Sequence, residues 1–167
     1  AAGGGAASEG VARAMRRLRQ HFVTRATFVQ TRRATFGVHG LRTPEDCARL
    51  AREATAKSDS LVDLIVRGLP SATTVQMLDS LSATLCSVLD PLELARSVHP
   101  SPAFVDAADT AHQELAGRMA EYNTDERLYR AVRAVVDDER VSTLLSHEQT
   151  RFVHTMIREF EYDGAHL

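Results

Sequence analysis

A chain of 167 residues has the usual size of one domain and can bury a real core, but it is too short for two ordinary domains. Its hydrophobic share of 44% and its charged share of 25% are typical of a folded, soluble protein. No stretch approaches the roughly 20 apolar residues that a transmembrane helix needs. We therefore expect membrane association only through a partner.

The net charge of −2 is distributed unevenly along the chain. Residues 1–42 contain eight arginines, no lysine and one acid, Glu9, which gives this segment a charge of +7, whereas residues 43–167 carry −9. The pattern predicts a basic N-terminal arm over residues 1–42 and an acidic helical domain over residues 43–167. The candidate partner-docking residues of the arm are Arg13, Arg16, Arg17, Arg19, Arg25, Arg32 and Arg33.

Several interpretations of the basic arm are open. Arginine-rich, acid-poor segments are typical of mitochondrial transit peptides, but a chain that begins at Ala1 fits a mature protein that has lost its presequence. The arm is then expected to be a largely irregular surface segment or a docking tail for another protein. Contact with RNA or anionic lipid is a further alternative without support, because nothing arranges Phe22, Phe28 and Phe36 as the stacking platform that single strands require.

Beyond Gly40 the sequence predicts helices with clear start and stop signals. Thr43 to Asp46 supply an N-cap, a proline at the first helical position and acids in the first turn. This first helix is expected to end at Gly68 and Pro70. Its predicted apolar positions are Cys47, Leu50, Ala54, Leu61 and Ile65.

A second helix is expected to start after the cap residue Ser71. Asp90-Pro91 is expected to bend or break it, because proline lacks a backbone donor. The predicted buried stripe consists of Val75, Leu78, Leu81, Leu85 and Val88 or Leu89, with Leu92, Ala95 and Val98 as its continuation.

The clearest break in the chain is His99-Pro100-Ser101-Pro102, since each proline disfavours helix in the residue before it. A third helix capped by Ser101 is predicted to bury Phe104, Ala108, Ala111, Leu115, Met119 and Tyr122. A fourth helix follows Asn123-Thr124 and ends in the charged stretch 137–140; its apolar residues are Leu128, Val132 and Val135 or Val136.

The last predicted helix opens with Ser146 and Gln149, which have the spacing of a capping box, and Gly164 offers its C-terminal cap. Phe152, Met156, Ile157 and Phe160 are expected to face inward. No segment alternates as a strand does, and no motif recurs at a fixed period. The sequence therefore predicts an all-α fold, an antiparallel array of about five amphipathic helices.

A string of short motifs runs in order through residues 36–167. It comprises Phe36-Gly37-Val38, the run Gly40 to Asp46, Leu61-Val62-Asp63, Leu78 to Ser82, Leu85-Cys86, His99-Pro100 with Phe104 and Ala107-Ala108, Asn123-Thr124 with Leu128-Tyr129, and Phe160-Glu161 with Gly164, His166 and Leu167. This string resembles the N-terminal segment of the mitochondrial intermediate peptidases, in the thimet oligopeptidase family of zinc metallopeptidases. Only the basic arm lies outside the resemblance.

The resemblance implies a helical lobe beside a substrate channel, in the mitochondrial matrix or on the matrix side of the inner membrane. It also implies a zinc site far downstream, on a helix where the two histidines of His-Glu-x-x-His hold the metal and the glutamate acts as general base. In this chain His147-Glu148 begins such a motif, but Arg151 occupies the place of the second histidine, and a guanidinium cannot bind zinc. We therefore expect no catalytic, cofactor-binding or metal-binding residue here, and zinc only in a missing catalytic half.

The remaining polar candidates are interpreted as structural. His147 and His154 are seven residues apart, about 10 Å along a helix, which is too far to share one ion and indicates surface histidines. His99 is expected to be a loop or capping residue. Cys47 and Cys86 lie on apolar stripes without CxxC spacing, which favours buried, reduced thiols.

Two functions remain. The first is a non-catalytic, accessory or structural subunit of a larger mitochondrial protein complex, which a chain stopping at Leu167 and carrying an extra arm favours. The alternative is the N-terminal part of a split or clipped zinc oligopeptidase that processes imported precursor proteins. Both predict exposed apolar surface that a protein partner covers.

Overall fold

The computed structural model describes residues 35–166, which form a short 3-10 turn at Thr35–Gly37 followed by six helices and no strand. The helices are α1 (Pro44–Arg67), α2 (Ala72–Val98), α3 (Pro102–Asn123), α4 (Glu126–Asp137), α5 (Glu139–Ser142) and α6 (His147–Tyr162). The predicted all-α fold is confirmed. Every helix in this part of the chain is too short or too polar to cross a bilayer.

The first three helices pack against one another pairwise and form a three-helix bundle. The connections over residues 68–71 and 99–101 are short, so each helix reverses the direction of the one before it. α4 packs against α1 and α2, and α6 packs against α4. The six helices thus divide into a bundle, α1 to α3, and a C-terminal hairpin, α4 to α6.

Hydrogen bonds around Asp46 fix the start of α1 where the sequence predicts it. The Asp46 carboxylate accepts the backbone N–H groups of Arg42 at 3.0 Å and Thr43 at 2.9 Å, and the Arg49 guanidinium donates to it at 2.7 Å. Arg49 also donates to the carbonyl of Gly40 at 2.8 Å, which ties the preceding loop to the helix. The Arg49 bond and the two backbone N–H groups lower the pKa of Asp46 to about 2.

The buried stripe of α1 differs in part from the predicted one. Leu50 and Leu61 are only partly buried, and the core positions instead step by three and four residues through a serine, which a hydrophobicity pattern passes over. These buried positions are Cys47, Ala51, Ala54, Ser58, Val62 and Ile65.

Of the two outcomes expected at Asp90-Pro91, a bend or a break of helix α2, the break does not occur. The helix continues through Pro91 to Val98, and Leu92 and Ala95 are buried as predicted. Because Pro91 has no backbone N–H, the carbonyl of Ser87 receives no helical hydrogen bond from it. Ser87 is exposed, so water can satisfy that carbonyl. Val98, in contrast, is 61% exposed, so the predicted apolar face ends before it.

The other helices follow the sequence closely, with one addition. All six predicted positions of α3 are buried, as are Leu128, Val132 and Val135 of α4. The charged stretch after α4 does not simply end a helix, because Asp138 accepts the backbone N–H of Arg140 at 2.9 Å and caps the short α5.

The boundaries of α6 also match the sequence. Ser146 and Gln149 form the predicted capping box, and Gly164 adopts a positive φ of 86° just beyond the helix. The seven docking arginines of the arm, Arg13, Arg16, Arg17, Arg19, Arg25, Arg32 and Arg33, and the division at residues 42 and 43 remain predictions. The arginines lie outside the described residues.

Candidate functional site: helix contacts and exposed surfaces

Metal binding requires several ligand side chains to converge on one point. Among residues 35–166, no three His, Cys, Asp or Glu side chains come together in a group that could hold a metal ion. His147 and His154 are both exposed on α6, which confirms them as surface histidines. The zinc site that the family resemblance implies belongs to a part of those peptidases far downstream of the segment that this chain resembles.

His99 and the two cysteines occupy structural positions. His99 follows the last residue of α2, its Nδ1 accepts the backbone N–H of Ser101 at 3.2 Å, and its ring stacks on Phe104 at 4.1 Å. This confirms its predicted loop or capping role. Cys47 is a buried free thiol, as predicted, and burial raises its pKa, whereas Cys86 is only partly buried.

A polar contact joins α1 to α3, and we call Asp59, Arg118 and Tyr122 the α1–α3 clasp. One oxygen of Asp59 accepts the Tyr122 hydroxyl at 2.6 Å and the Arg118 Nε–H at 3.0 Å, while Arg118 also pairs with Glu121. Burial disfavours the Asp59 carboxylate, but the bonds from Tyr122 and Arg118 outweigh it and lower its pKa. Burial, with the bond to Asp59, raises the pKa of Tyr122 to about 12, so the phenol stays protonated and donates.

A second polar contact joins α2 to α3, and we call Glu93, Arg96, Asp109 and His112 the α2–α3 network. Arg96 donates to Asp109 at 2.8 Å and pairs with Glu93 at 2.7 Å, and these bonds raise the pKa of Arg96. The Nε2 atom of His112 lies 3.1 Å from the same Glu93 carboxylate. The sequence offered no sign of either contact, because helical periodicity does not reveal which distant polar side chains pair.

An open groove runs between α1 and α3. Ala56 and Gly117 are among its lining residues, together with the charged residues Arg52, Glu114 and Arg118. A Cβ atom added at Gly117 would meet no heavy atom within 4 Å. The packing of this chain therefore does not require glycine there, although glycine weakens a helix by about 1 kcal/mol relative to alanine.

Large apolar side chains are exposed in separate groups. Leu64 and Leu69 lie at the C-terminal end of α1, and Leu69 is 88% exposed. Leu94 and Val98 are one helical turn apart near the C-terminal end of α2, which the antiparallel packing places at the other end of the bundle. The further exposed residues of this kind are Phe36, Leu144 and Tyr162.

Comparison with known proteins identifies relatives that are named mitochondrial intermediate peptidase. The chain is 38% identical over 136 residues to mitochondrial intermediate peptidase of Malassezia globosa, 35% identical over 133 residues to that of Arabidopsis thaliana, and 32% identical over 136 residues to that of Homo sapiens. These matches cover 79%, 79% and 81% of this chain. No protein-family model and no solved structure matches it.

The same matches cover little of the relatives. The chain spans 17% of the Malassezia protein, 18% of the Arabidopsis protein and 19% of the human protein. The resemblance that the ordered motifs predict is confirmed: over about four fifths of its length, this chain is homologous to a segment of mitochondrial intermediate peptidase.

Proposed function

We propose that this chain is a non-catalytic helical portion of a mitochondrial zinc oligopeptidase and acts by packing against a separate catalytic portion. The observation that carries the proposal is the pair of coverages: 79–81% of this chain matches the peptidases, but only 17–19% of each peptidase is matched. Most of such an enzyme would thus lie in another polypeptide segment.

The chemistry of the described residues supports a non-catalytic role for this portion. They include no group of three metal ligands, and Arg151 stands where a second zinc-binding histidine would be needed. Peptide hydrolysis would then come from a catalytic portion that carries His-Glu-x-x-His and its zinc. The relatives are named as mitochondrial peptidases, which supports a mitochondrial location for this chain. The matrix, or the matrix side of the inner membrane, is the compartment that we propose.

The exposed leucines supply a physical reason for packing. Burying one leucine side chain contributes roughly 1.5–3 kcal/mol, so covering Leu64 and Leu69, or Leu94 with Val98, would drive association. The bundle helices share one continuous hydrophobic core with α4 and α6, which holds these exposed residues on a defined surface.

An accessory subunit of a different mitochondrial assembly is the second candidate function. The charge distribution favours it, because an arm of +7 attached to a body of −9 offers two surfaces of opposite sign for docking. In this case the peptidase-derived helices would serve only as a scaffold.

Native purification of the tagged chain from mitochondria separates the two candidates. Under the main proposal, a polypeptide bearing His-Glu-x-x-His co-purifies, together with peptidase activity that a chelator abolishes. Recovery in a large complex without such activity would support the accessory subunit and reject the main proposal. A chain that purifies alone, stable and monodisperse, would contradict both.

Paired substitutions locate the contact. L64E/L69E and L94E/V98E each place two charges at exposed apolar positions, and Q76E/S80E places two charges at exposed polar positions of α2 as the matched control. We expect one apolar pair to lower recovery of the catalytic polypeptide about tenfold or more, while the control leaves it unchanged. Circular dichroism checks that all variants remain helical. Full recovery with both apolar pairs would show that these leucines do not mediate packing.

A further inference from the structure

We infer that the α2–α3 network is a proton-linked contact: protonation of His112 strengthens the packing of α3 against α2, and loss of that proton as pH rises weakens it. The two helices meet here through charged side chains as well as through the core. A group that changes charge near neutral pH therefore sits directly in a contact between helices.

The geometry places the imidazole against a carboxylate. His112 Nε2 is 3.1 Å from Glu93 Oε2, and the His112 side chain is 19% exposed, compared with 42% for Glu93. A neutral imidazole that presents an N–H can donate one hydrogen bond to Glu93. An imidazolium adds a full charge to that bond, which makes it shorter and stronger.

The charge balance of the network favours the imidazolium. With neutral His112, the carboxylates of Glu93 and Asp109 outnumber the single guanidinium of Arg96. Asp90, one turn before Glu93 on α2, adds a further acid along the same helix. Protonated His112 balances Arg96, Glu93 and Asp109 to zero.

Helix α1 also packs against α3 and brings the carboxylate of Asp59 to it. Asp59 accepts hydrogen bonds from Arg118 and Tyr122, so the Arg118 guanidinium belongs to the α1–α3 clasp. The charged side chains that bond within the α2–α3 network are Glu93 and Arg96 of α2 and Asp109 of α3.

The sign of the pH effect follows from this geometry. Below about pH 6.5, where an unperturbed histidine becomes charged, the pair with Glu93 stabilises the folded chain. As pH rises past the titration of His112 in the folded chain, that contribution disappears. The α2–α3 contact should thus weaken between about pH 6 and about pH 8, where carboxylates and arginines keep their charge.

Urea unfolding of the whole chain, followed by circular dichroism at about pH 6 and about pH 8, tests the inference. The variant is His112→Gln, and the control is His154→Gln, the same change at an exposed histidine of α6. We expect the unfolding equilibrium constant of the wild type to rise between the two pH values about two- to fivefold more than that of His112→Gln. His154→Gln should behave as the wild type.

Glu93→Gln provides an independent check, because it leaves His112 in place and removes its partner charge. We expect this variant to lose the same pH dependence, and the double variant to lose no more than either single variant. Wild-type pH dependence in His112→Gln or in Glu93→Gln would overturn the inference, as would an equal loss of pH dependence in His154→Gln.

Discussion

The bundle of α1 to α3 and the hairpin of α4 to α6 are held together in different ways. Each bundle helix packs against the two other bundle helices, whereas α6 packs mainly against α4. A helix with two neighbours shares its buried surface with both, so its loss exposes two faces. A helix with one neighbour can detach alone. The comparison indicates that stability is concentrated in the bundle, residues 44–123.

Polar contacts follow the same division. The bundle has the α1–α3 clasp and the α2–α3 network, each with several charge-assisted bonds between helices. In the hairpin, Tyr129 donates to Glu161 at 3.0 Å and Arg133 reaches the same carboxylate at 3.4 Å. We expect α6 to open locally at a lower free energy than the bundle unfolds.

The largest expected effect comes from matched core truncations. Leu115→Ala in α3 removes a fully buried side chain between two neighbouring helices and should lower the free energy of unfolding by about 3 kcal/mol. Ile157→Ala in α6, which is also buried, should reduce global stability less and mainly speed amide exchange in α6. Urea unfolding and hydrogen exchange measure the two effects. Equal global losses would show that hairpin and bundle unfold as one unit.

The next largest effect on stability is expected from removing one tyrosine hydroxyl in the bundle or in the hairpin. Tyr122→Phe removes the hydroxyl of a buried tyrosine that donates to Asp59 in the α1–α3 clasp, and should cost about 1 kcal/mol of unfolding free energy. Tyr129→Phe removes a comparable bond to Glu161 from a tyrosine that is only partly buried, and should cost less. Urea midpoints of the two variants give the comparison. A larger loss for Tyr129→Phe would reverse the proposed order of the two contacts.

Substitution by alanine is expected to change stability in opposite directions at two glycines. Gly117→Ala, in open space on α3, should stabilise the bundle by up to about 1 kcal/mol. Gly164→Ala, at a positive φ after α6, should destabilise the hairpin by about 1 kcal/mol, because a Cβ is strained in that conformation. Thermal unfolding shows both shifts. Stabilisation at both positions would mean that the turn at Gly164 relaxes freely.

The smallest effect is expected at Ser58 in the core of the bundle. Its side-chain oxygen is buried and has no hydrogen-bond partner among the described residues. Ser58→Ala should therefore be neutral or stabilise the protein by less than about 1 kcal/mol. Ser60→Ala, at an exposed position two residues further along α1, serves as the control. A clear loss of stability in Ser58→Ala would show that the hydroxyl is satisfied in solution.

Local signals in the sequence predicted most of the fold. The cap at Thr43, the capping box from Ser146 to Gln149 and the six buried residues of α3 all appear where the pattern places them. These features depend on neighbours within a turn or two of the helix, which a single sequence displays directly.

The features that the sequence did not predict depend on tertiary context. Helix α2 accommodates Pro91 because the carbonyl that loses its helical hydrogen bond belongs to Ser87, which is exposed to water. Exposure is a property of the packed structure. The pairing of Asp59 with Tyr122 joins residues 63 positions apart, and no periodicity marks it. The exposed apolar groups and the polar contacts between helices likewise depend on tertiary context.

The short connections of the bundle also bear on how fast it forms. Residues 68–71 and 99–101 link helices that pack directly on each other, so most of the contacts that close the core join neighbouring parts of the sequence. Topologies of this kind lose little chain entropy before their contacts form and fold within microseconds to milliseconds. In a longer polypeptide entering a compartment from its N-terminus, such a segment would be folded before the residues that follow it arrive.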